Sequence, residues 1–294
     1  MLGAWGLELE KDRMGLCQVR QTSRGVKLKR GVSIPLSAGL LTPSFTEPNV
    51  VDEQEFSAQL KSLVEKAGWK GGRIVMTLPD LTCRIGYQDS DEVKGNAGDI
   101  RQFLSWRLKD RLPFPVNEAR IDFQPLPASN GTGTRLLYLL GREAVLGQYE
   151  SLVANVGLEP TRIVTRGVAL YRCVKIAGMS GKRLLIALGP SSLLLIYAEE
   201  AVPRLWRVLP WDDQYTSQER LIRELQETMT YVQEELGAAG PDSLLVIGGE
   251  ESLAESLTQA GTVPVHTFAV SQHGLSGDLL AATGGALLYQ AWRD

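Results

Sequence analysis

Cysteine and histidine are scarce in this chain of 294 residues, with three of the first (Cys17, Cys83, Cys173) and two of the second (His266, His273). The cysteines lie far apart and include no C-x-x-C pair, so neither a disulfide framework nor a zinc or redox motif is expected. Three scattered thiols suit a reducing compartment. Neither sign of charge dominates. The 31 Lys and Arg against 34 Asp and Glu leave a net charge of -3, which gives no reason to expect a nucleic-acid partner. Long apolar runs are missing as well: the best, residues 184–198, is cut by Gly189-Pro190-Ser191-Ser192. Each half is far short of the roughly 20 residues of a spanning helix. The N-terminus, Met1-Leu2-Gly3-Ala4-Trp5-Gly6-Leu7-Glu8, lacks the basic start and apolar core of a signal peptide. A Walker A lysine, a nucleophile-elbow serine and a His-rich metal set are absent. The expectation is a soluble cytoplasmic protein of two domains, or of one enlarged by an insertion.

What is present is ordinary globular composition, 44% hydrophobic and 22% charged, arranged in a pattern that repeats. Residues 5–10, 14–19 and 26–34 read as three strands separated by charged or Ser-Arg-Gly turns. A helix follows, opened by the capping-box spacing of Asp52 and Glu55, with Phe56, Leu60, Leu63, Val64 and Ala67 as one apolar stripe. Gly68 suits its stop, and residues 73–78 then read as a buried strand ending at Pro79. The order returns later. Residues 183–188, 193–197 and 202–209 are three more strands, and Leu221, Leu225, Met229, Val232 and Leu236 step along a long helix. The strand 243–247 and Gly248-Gly249 close this second copy.

Between the copies, Ile100, Phe103, Leu104 and Leu108 mark a helix that Pro113 ends, and strands are expected at 119–126 and 135–140. The linking Ala128-Ser129-Asn130-Gly131-Thr132-Gly133 has the composition of a hairpin loop. A helix at 143–156 and a strand at 161–164 complete what reads as an inserted α+β subdomain.

A duplicated three-strand-plus-helix unit with an insertion in its first half resembles the actin-like ATPases. Leu112-Pro113-Phe114-Pro115-Val116-Asn117-Glu118-Ala119-Arg120-Ile121-Asp122-Phe123-Gln124 resembles the Pro-Phe-Pro segment of the PilM family of type IV pilus assembly. Ala154-Asn155-Val156-Gly157-Leu158-Glu159-Pro160 is similar to that family's turn out of the insertion. Ile247-Gly248-Gly249 and Ala282-Thr283-Gly284-Gly285-Ala286-Leu287 fall where the family has its adenosine-side glycines and final connecting helix. The related cytoplasmic domain of the type II secretion protein GspL is the nearest alternative, but there a membrane span follows. The resemblance implies an α/β fold of two ribonuclease-H-like units: residues 1–79 as the first half of domain I, 80–165 as the inserted subdomain and 166–294 as the second domain.

The resemblance also says where nucleotide would sit, and there the chain departs from it. Actin-like ATPases hold the phosphates with two hairpins, each opening with Asp, a hydrophobic residue and Gly, followed by small hydroxyl residues. The first copy has Glu8-Leu9-Glu10-Lys11-Asp12, with Glu for the acid and Glu10 where Gly belongs; Lys11 offsets charge but not bulk. The second has Ala187-Leu188-Gly189-Pro190-Ser191-Ser192, which keeps Gly189 but loses the acid and an amide donor. Gly248-Gly249 alone is intact, and the small subdomain that PilM carries before the long helix has no room between Pro210 and Arg223. The candidate cleft is therefore Glu8, Glu10, Lys11, Gly189, Ser191, Ser192, Gly248 and Gly249. No catalytic or metal residue is expected, and the departures argue against ATP and Mg as cofactors.

The function implied by the resemblance is a scaffold at the inner face of the cytoplasmic membrane. Its partner would be the N-terminal cytoplasmic tail of a PilN-like single-span protein, held between the insertion and the first half, with the assembly motor ATPase as a second contact. Phe103, Trp106, Phe114 and Phe123 concentrate aromatic rings in that insertion, and core packing accounts for most of them. From Arg13 to Thr46 there is no acid, while Arg13, Arg20, Arg24, Lys27, Lys29 and Arg30 are basic, Lys27 and Lys29 alternating with Val26 and Leu28 as on one charged strand face. An ATP-switched ATPase of the same machinery is the rival reading, and a self-assembling actin relative a third.

Overall fold

The computed structural model of the chain describes residues 4–22, 25–71, 73–90, 95–127, 133–211, 218–248, 251–260, 263–268 and 277–290. Gly249, His273 and most of the 128–133 loop lie outside the described residues.

Both copies form, and each builds a five-stranded mixed sheet. The first holds β1 (Ala4–Leu9), β2 (Arg13–Thr22), β3 (Gly25–Pro35), β4 (Arg73–Leu78) and β8 (Glu159–Thr165), in the order β3-β2-β1-β4-β8. The second holds β9 (Lys182–Leu188), β10 (Ser192–Glu199), β11 (Val202–Pro210), β12 (Ser243–Val246) and β13 (Val265–Thr267), in the order β11-β10-β9-β12-β13. The first three strands of each run antiparallel through hairpins, and the last two add in parallel after a helical crossover. Only the crossover could supply parallel strands, since a tight turn reverses the chain.

The crossover helices follow their apolar stripes. α1 (Glu53–Lys66) starts at Asp52, whose carboxylate accepts the Gln54 and Glu55 amides, and buries Phe56, Leu60, Leu63 and Val64. Gly68 takes φ 64 just past its end, a left-handed stop that a side chain would strain. In the second copy α5 (Gln218–Glu234) buries Leu221, Leu225, Thr228 and Val232. It follows β11 after residues 211–217 alone. α6 (Glu251–Ala260) leads to the short β13, whose His266 is exposed.

The insertion is smaller than the sequence pattern suggested. β5 (Arg84–Ser90), β6 (Ala119–Pro127) and β7 (Thr134–Arg142) form a separate sheet of order β5-β7-β6, covered by α2 (Ala97–Leu108). The helix expected at 143–156 and the strand expected at 161–164 both form, as α3 (Glu143–Ala154) and β8, but they belong to the first half. β8 pairs with β4 along its length, and Val145, Leu146, Tyr149, Leu152 and Val153 of α3 share a core with Phe56 and Leu60 of α1. The boundary set at 165 thus moves back to about the end of β7.

Two helices bind the halves together. α4 (Arg166–Ile176) and α7 (Leu280–Gln290) pack on each other, and one apolar core runs from Val75 and Cys17 through Ala169, Ala282 and Leu287 to Leu185 and Ile196. Small residues allow the approach: a Cβ on Gly6 would collide with the Ala282 carbonyl, and one on Gly284 with the backbone of Ala169. The Ala-Thr-Gly-Gly-Ala run at 282–286 is the seam between halves. All three cysteines are buried free thiols, and burial pushes Cys17 and Cys83 up to about 12. Among the described residues no helix is long and apolar enough to cross a membrane.

Candidate functional site

The carboxyl ends of β1, β8, β9 and β12 converge on one cleft between the halves, the place where open α/β sheets put their ligands. The cleft has a volume of about 530 Å³. Glu8, Asp12 and Arg13 line it from the first hairpin; Leu188, Gly189 and Pro190 from the second; Gly248 and Leu253 from the β12–α6 side. Arg166 and Leu170 of α4, with residues 277–281 leading into α7, form its floor.

Glu8 reaches the cleft wall, but its carboxylate is already engaged. Oε1 accepts from Arg13 Nη2 at 3.2 Å and Oε2 from the Ala282 amide at 3.2 Å, in the first turn of α7. That amide is one of the donors a helix N-terminus leaves unpaired, and an anion there also meets the positive end of the helix dipole. A second carboxylate does the same for the other central helix. Asp80, in the 3-10 turn after β4, accepts the Gly167 amide at 2.7 Å on Oδ1, where the side chain of the capping residue Thr165 makes no bond to the helix. Both acids are 1% exposed, and burial raises both above the usual carboxylate range against the opposing pull of Arg166.

Glu10 does not line the cleft. It is 1% exposed beneath the first hairpin, whose turn is closed by the Glu10 amide on the Arg13 carbonyl at 2.9 Å. Desolvation pushes its carboxyl up to about 8, with Glu8 and Asp80 adding to the rise and Arg166 opposing it. Oε1 of Glu10 and Oδ2 of Asp80 have no protein partner.

The cation among these acids is Arg166, the first residue of α4 and 5% exposed. Its Nη2 donates to the Leu188 carbonyl at 2.8 Å, which fixes the guanidinium against the second hairpin. Nη1 would lie 2.9 Å from a Cβ on Gly189, so Gly189 is the residue that admits the arginine. Nη1 itself has no partner, nor has the Ser191 hydroxyl nearby.

Of the candidates named from sequence, Glu8, Gly189 and Gly248 meet in the cleft, Gly248 with φ 61. Ser191 and Ser192 are buried behind the second hairpin, where Ser192 faces Asp80, and Lys11 is outside the cleft lining. Gly249 lies outside the described residues. Sequence reading missed Arg13, Asp80 and Arg166. The signal was available for two of them: Asp80 and Arg166 stand just past the carboxyl ends of β4 and β8, whereas Arg13 opens β2 across the first hairpin. Among the described residues no group of three or more His, Cys, Asp or Glu is arranged to hold a metal ion.

The insertion meets the first half along a second seam. Phe45, from the segment before α1, packs on Phe114 at 5.1 Å between centroids, with Arg84 over the Phe45 ring and Arg142 over Phe114. On the first-half side of this seam, Thr82 and Tyr149 donate buried hydrogen bonds to the Asn49 amide oxygen.

No protein-family model matches the chain, and no curated protein matches its sequence. Solved structures match its fold from end to end. The chain resembles one described as the PilM-PilN type IV pilus biogenesis complex, at TM-score 0.79 and 19% identity over 97% of this chain and 98% of that one. A protein of unknown function from Bacteroides thetaiotaomicron, described as having an actin-like ATPase fold, matches at TM-score 0.58 and 10% identity, over 96% and 95%. The cytoplasmic domain of EpsL, an inner membrane component of the type II secretion system of Vibrio cholerae, matches at TM-score 0.55 and 12% identity, over 96% and 93%. The fold is thus actin-like, of the PilM kind.

Proposed function

We propose that the protein is a non-hydrolysing scaffold of a pilus or secretion platform, acting at the inner face of the cytoplasmic membrane by binding the cytoplasmic tail of a PilN-like partner. The likeness to a PilM-PilN complex supports the partner class, and the Phe45–Phe114 seam between first half and insertion is the place we assign to the tail.

The observation that carries the non-hydrolysing part is Arg166. Its guanidinium occupies the approach to the second hairpin, on Leu188 and Gly189, where the resemblance would put phosphate. Glu8 in the cleft wall and Asp80 behind it are committed to the N-termini of α7 and α4. A triphosphate with its Mg would have to displace the arginine or pull Glu8 from the N-terminus of α7. The residues present do not fit that group, and no hydrolytic step is derived from them. The work of the protein in this reading is alignment, with α7 and α4 between the halves pinned by internal carboxylates.

The test is thermal unfolding of the full chain with and without millimolar Mg-ATP. A ligand at 100 times its dissociation constant adds about 2.7 kcal/mol, a shift of several degrees. We expect none. A clear shift that ADP reproduces poorly overturns the non-hydrolysing reading and supports an ATP-switched one. Titration with a synthetic N-terminal peptide of a PilN-like protein, in solution and without lipid, tests the partner; no heat and no shift would remove it.

A further inference from the structure

Helix α2 ends in a cationic, aromatic surface outside the cleft, which touches the seam only through Arg84, the cation over the Phe45 ring. Trp106 is 57% exposed, against the buried or half-buried rings around it. The Arg107 guanidinium lies 5.0 Å from the Trp106 ring centroid and 5.7 Å from that of Phe103, so one cation and two rings form a single unit on the solvent side of the helix. Lys109 and Arg111 follow in the exposed 3-10 turn. Arg84 of β5 joins them by donating to the Arg111 carbonyl at 3.3 Å. Against these four cations, residues 100–111 hold one acid, Asp110. None of the four has an ion-pair partner among the described residues, unlike Arg101 on the same helix, which pairs with Asp122.

Two features of this surface belong together chemically. An indole left in water gains by moving to the headgroup level of a bilayer, where its apolar body and N–H are both satisfied. Cations without internal partners gain from an anionic lipid surface, each by about fivefold in partition. A convex helix face suits a flat sheet of headgroups, whereas an acidic peptide is held in a groove. Cations near a helix C-terminus also answer its dipole, but that accounts for their sign and not for the bare tryptophan beside them.

We propose that the Phe103–Trp106–Arg107 face, with Arg84, Lys109 and Arg111, is a contact for an anionic phospholipid surface, Trp106 seated among the headgroups and the guanidinium and ammonium groups over the lipid phosphates. This extends the membrane-side placement given above without depending on tail binding. It also fixes an orientation: the insertion, not the nucleotide-type cleft, faces the bilayer.

The experiment is co-sedimentation of the full chain with phosphatidylcholine vesicles, with and without phosphatidylglycerol, at low and physiological salt. The expected result is binding to the phosphatidylglycerol vesicles alone, weakened by salt. The double variant Arg107→Glu/Lys109→Glu should lower partition by at least about tenfold. Trp106→Ala should lower it several-fold with an unchanged circular dichroism spectrum. Lys27→Glu/Lys29→Glu on the β3 edge should leave it unaltered. The proposal is overturned by absence of binding to anionic vesicles at low salt, by an equal loss in the β3 variant, or by capture of a polyglutamate peptide in place of vesicles. Peptide titration of the same variants without lipid separates this outcome from failure of the tail-binding reading.

Discussion

Glu8 and Ala282 stand 274 residues apart in the chain and 3.2 Å apart in the fold, carboxylate oxygen to backbone amide. This bond ties the first strand to the first turn of the last helix. The other oxygen of Glu8 holds Arg13 of the neighbouring strand, so the residue links the first hairpin to the helix packed between the two halves. Glu8→Ala should therefore destabilise the protein by about 2–4 kcal/mol in urea unfolding, somewhat less than a fully enclosed pair because Arg13 is partly exposed. Glu8→Asp, which restores the acid of the actin-like pattern, should also lose stability, since the shorter chain cannot reach both partners. A neutral result for both would show that the bond carries nothing.

Arg166 should be the most sensitive of the buried charges. Replacing it with methionine takes the guanidinium from the Leu188 carbonyl and removes the foremost cation facing Glu10 and Asp80, at a cost of about 3–5 kcal/mol. Adding Glu10→Gln removes one of the stranded acids. The double variant should then recover part of the loss, and a double-mutant cycle should read a coupling above about 0.5 kcal/mol. Strict additivity would mean that the two groups do not interact.

Much of this was legible along the chain, for a reason that also marks where legibility ends. Strand alternation, the stripe from Phe56 to Ala67 and the Gly68 stop are local signals, so the duplicated units and the existence of the insertion follow from them. Which sheet a strand joins is not local. Residues 159–165 look the same whether they finish the insertion or extend the first sheet, and only pairing with β4 decides it. The cleft divides in the same way. Glu8 and Gly189 stand out against the actin-like pattern, but that pattern asks only what a nucleotide needs. Asp80 and Arg166 serve helix ends and a hairpin of this chain instead, so a motif search passes over them. That the acids of the pattern act as helix caps could be seen only once α4 and α7 were in place.

The pH dependence of stability should slope downward in the neutral range. Glu10 faces Arg166 and Arg13 as cations and Glu8 and Asp80 as acids, and burial holds its folded pKa at about 8 against 4.5 for the free side chain. A group raised on folding contributes most below its unfolded pKa. The unfolded chain releases the Glu10 proton first, so stability falls from about pH 4.5 to about pH 8 and levels beyond. Glu10→Gln should flatten that window and stabilise the protein at pH 8 by about 1–3 kcal/mol. Urea midpoints at pH 5, 6.5 and 8 check it, and an unchanged slope in the variant would assign the window to other groups.

The turn between β10 and β11 carries two left-handed residues, Glu200 at φ 46 and Ala201 at φ 58, where side chains are disfavoured. Ala201→Gly should relieve this and stabilise the hairpin by about 0.5–1 kcal/mol in spite of the entropy that glycine adds to the unfolded chain. Loss of stability would show that the unfolded-state term wins.

Gly284 and Gly285 are neighbours on one helix and should respond differently to the same change. In a helix interior, Gly→Ala ordinarily gains about 0.5–1 kcal/mol. At Gly284 the new Cβ would run into the Ala169 backbone of α4, which has no flexible end to move aside, so Gly284→Ala must push the two central helices apart. A net loss of about 1–3 kcal/mol is expected. At Gly285 the nearest atom is the Thr77 hydroxyl at 2.6 Å, the end of a side chain whose bond to the Ala281 carbonyl is already long at 3.5 Å. The contact is with one side-chain atom and not with backbone, so a small χ1 shift of Thr77 relieves much of it, and Gly285→Ala should cost less than Gly284→Ala, within about 1 kcal/mol of the parent. Because α7 carries the amide that Glu8 holds, Gly284→Ala should also loosen that capping bond. Hydrogen exchange at the Ala282 amide would then rise in Gly284→Ala and stay protected in Gly285→Ala, and equal exchange in the two would mean that α4–α7 contact does not set the position of the helix end.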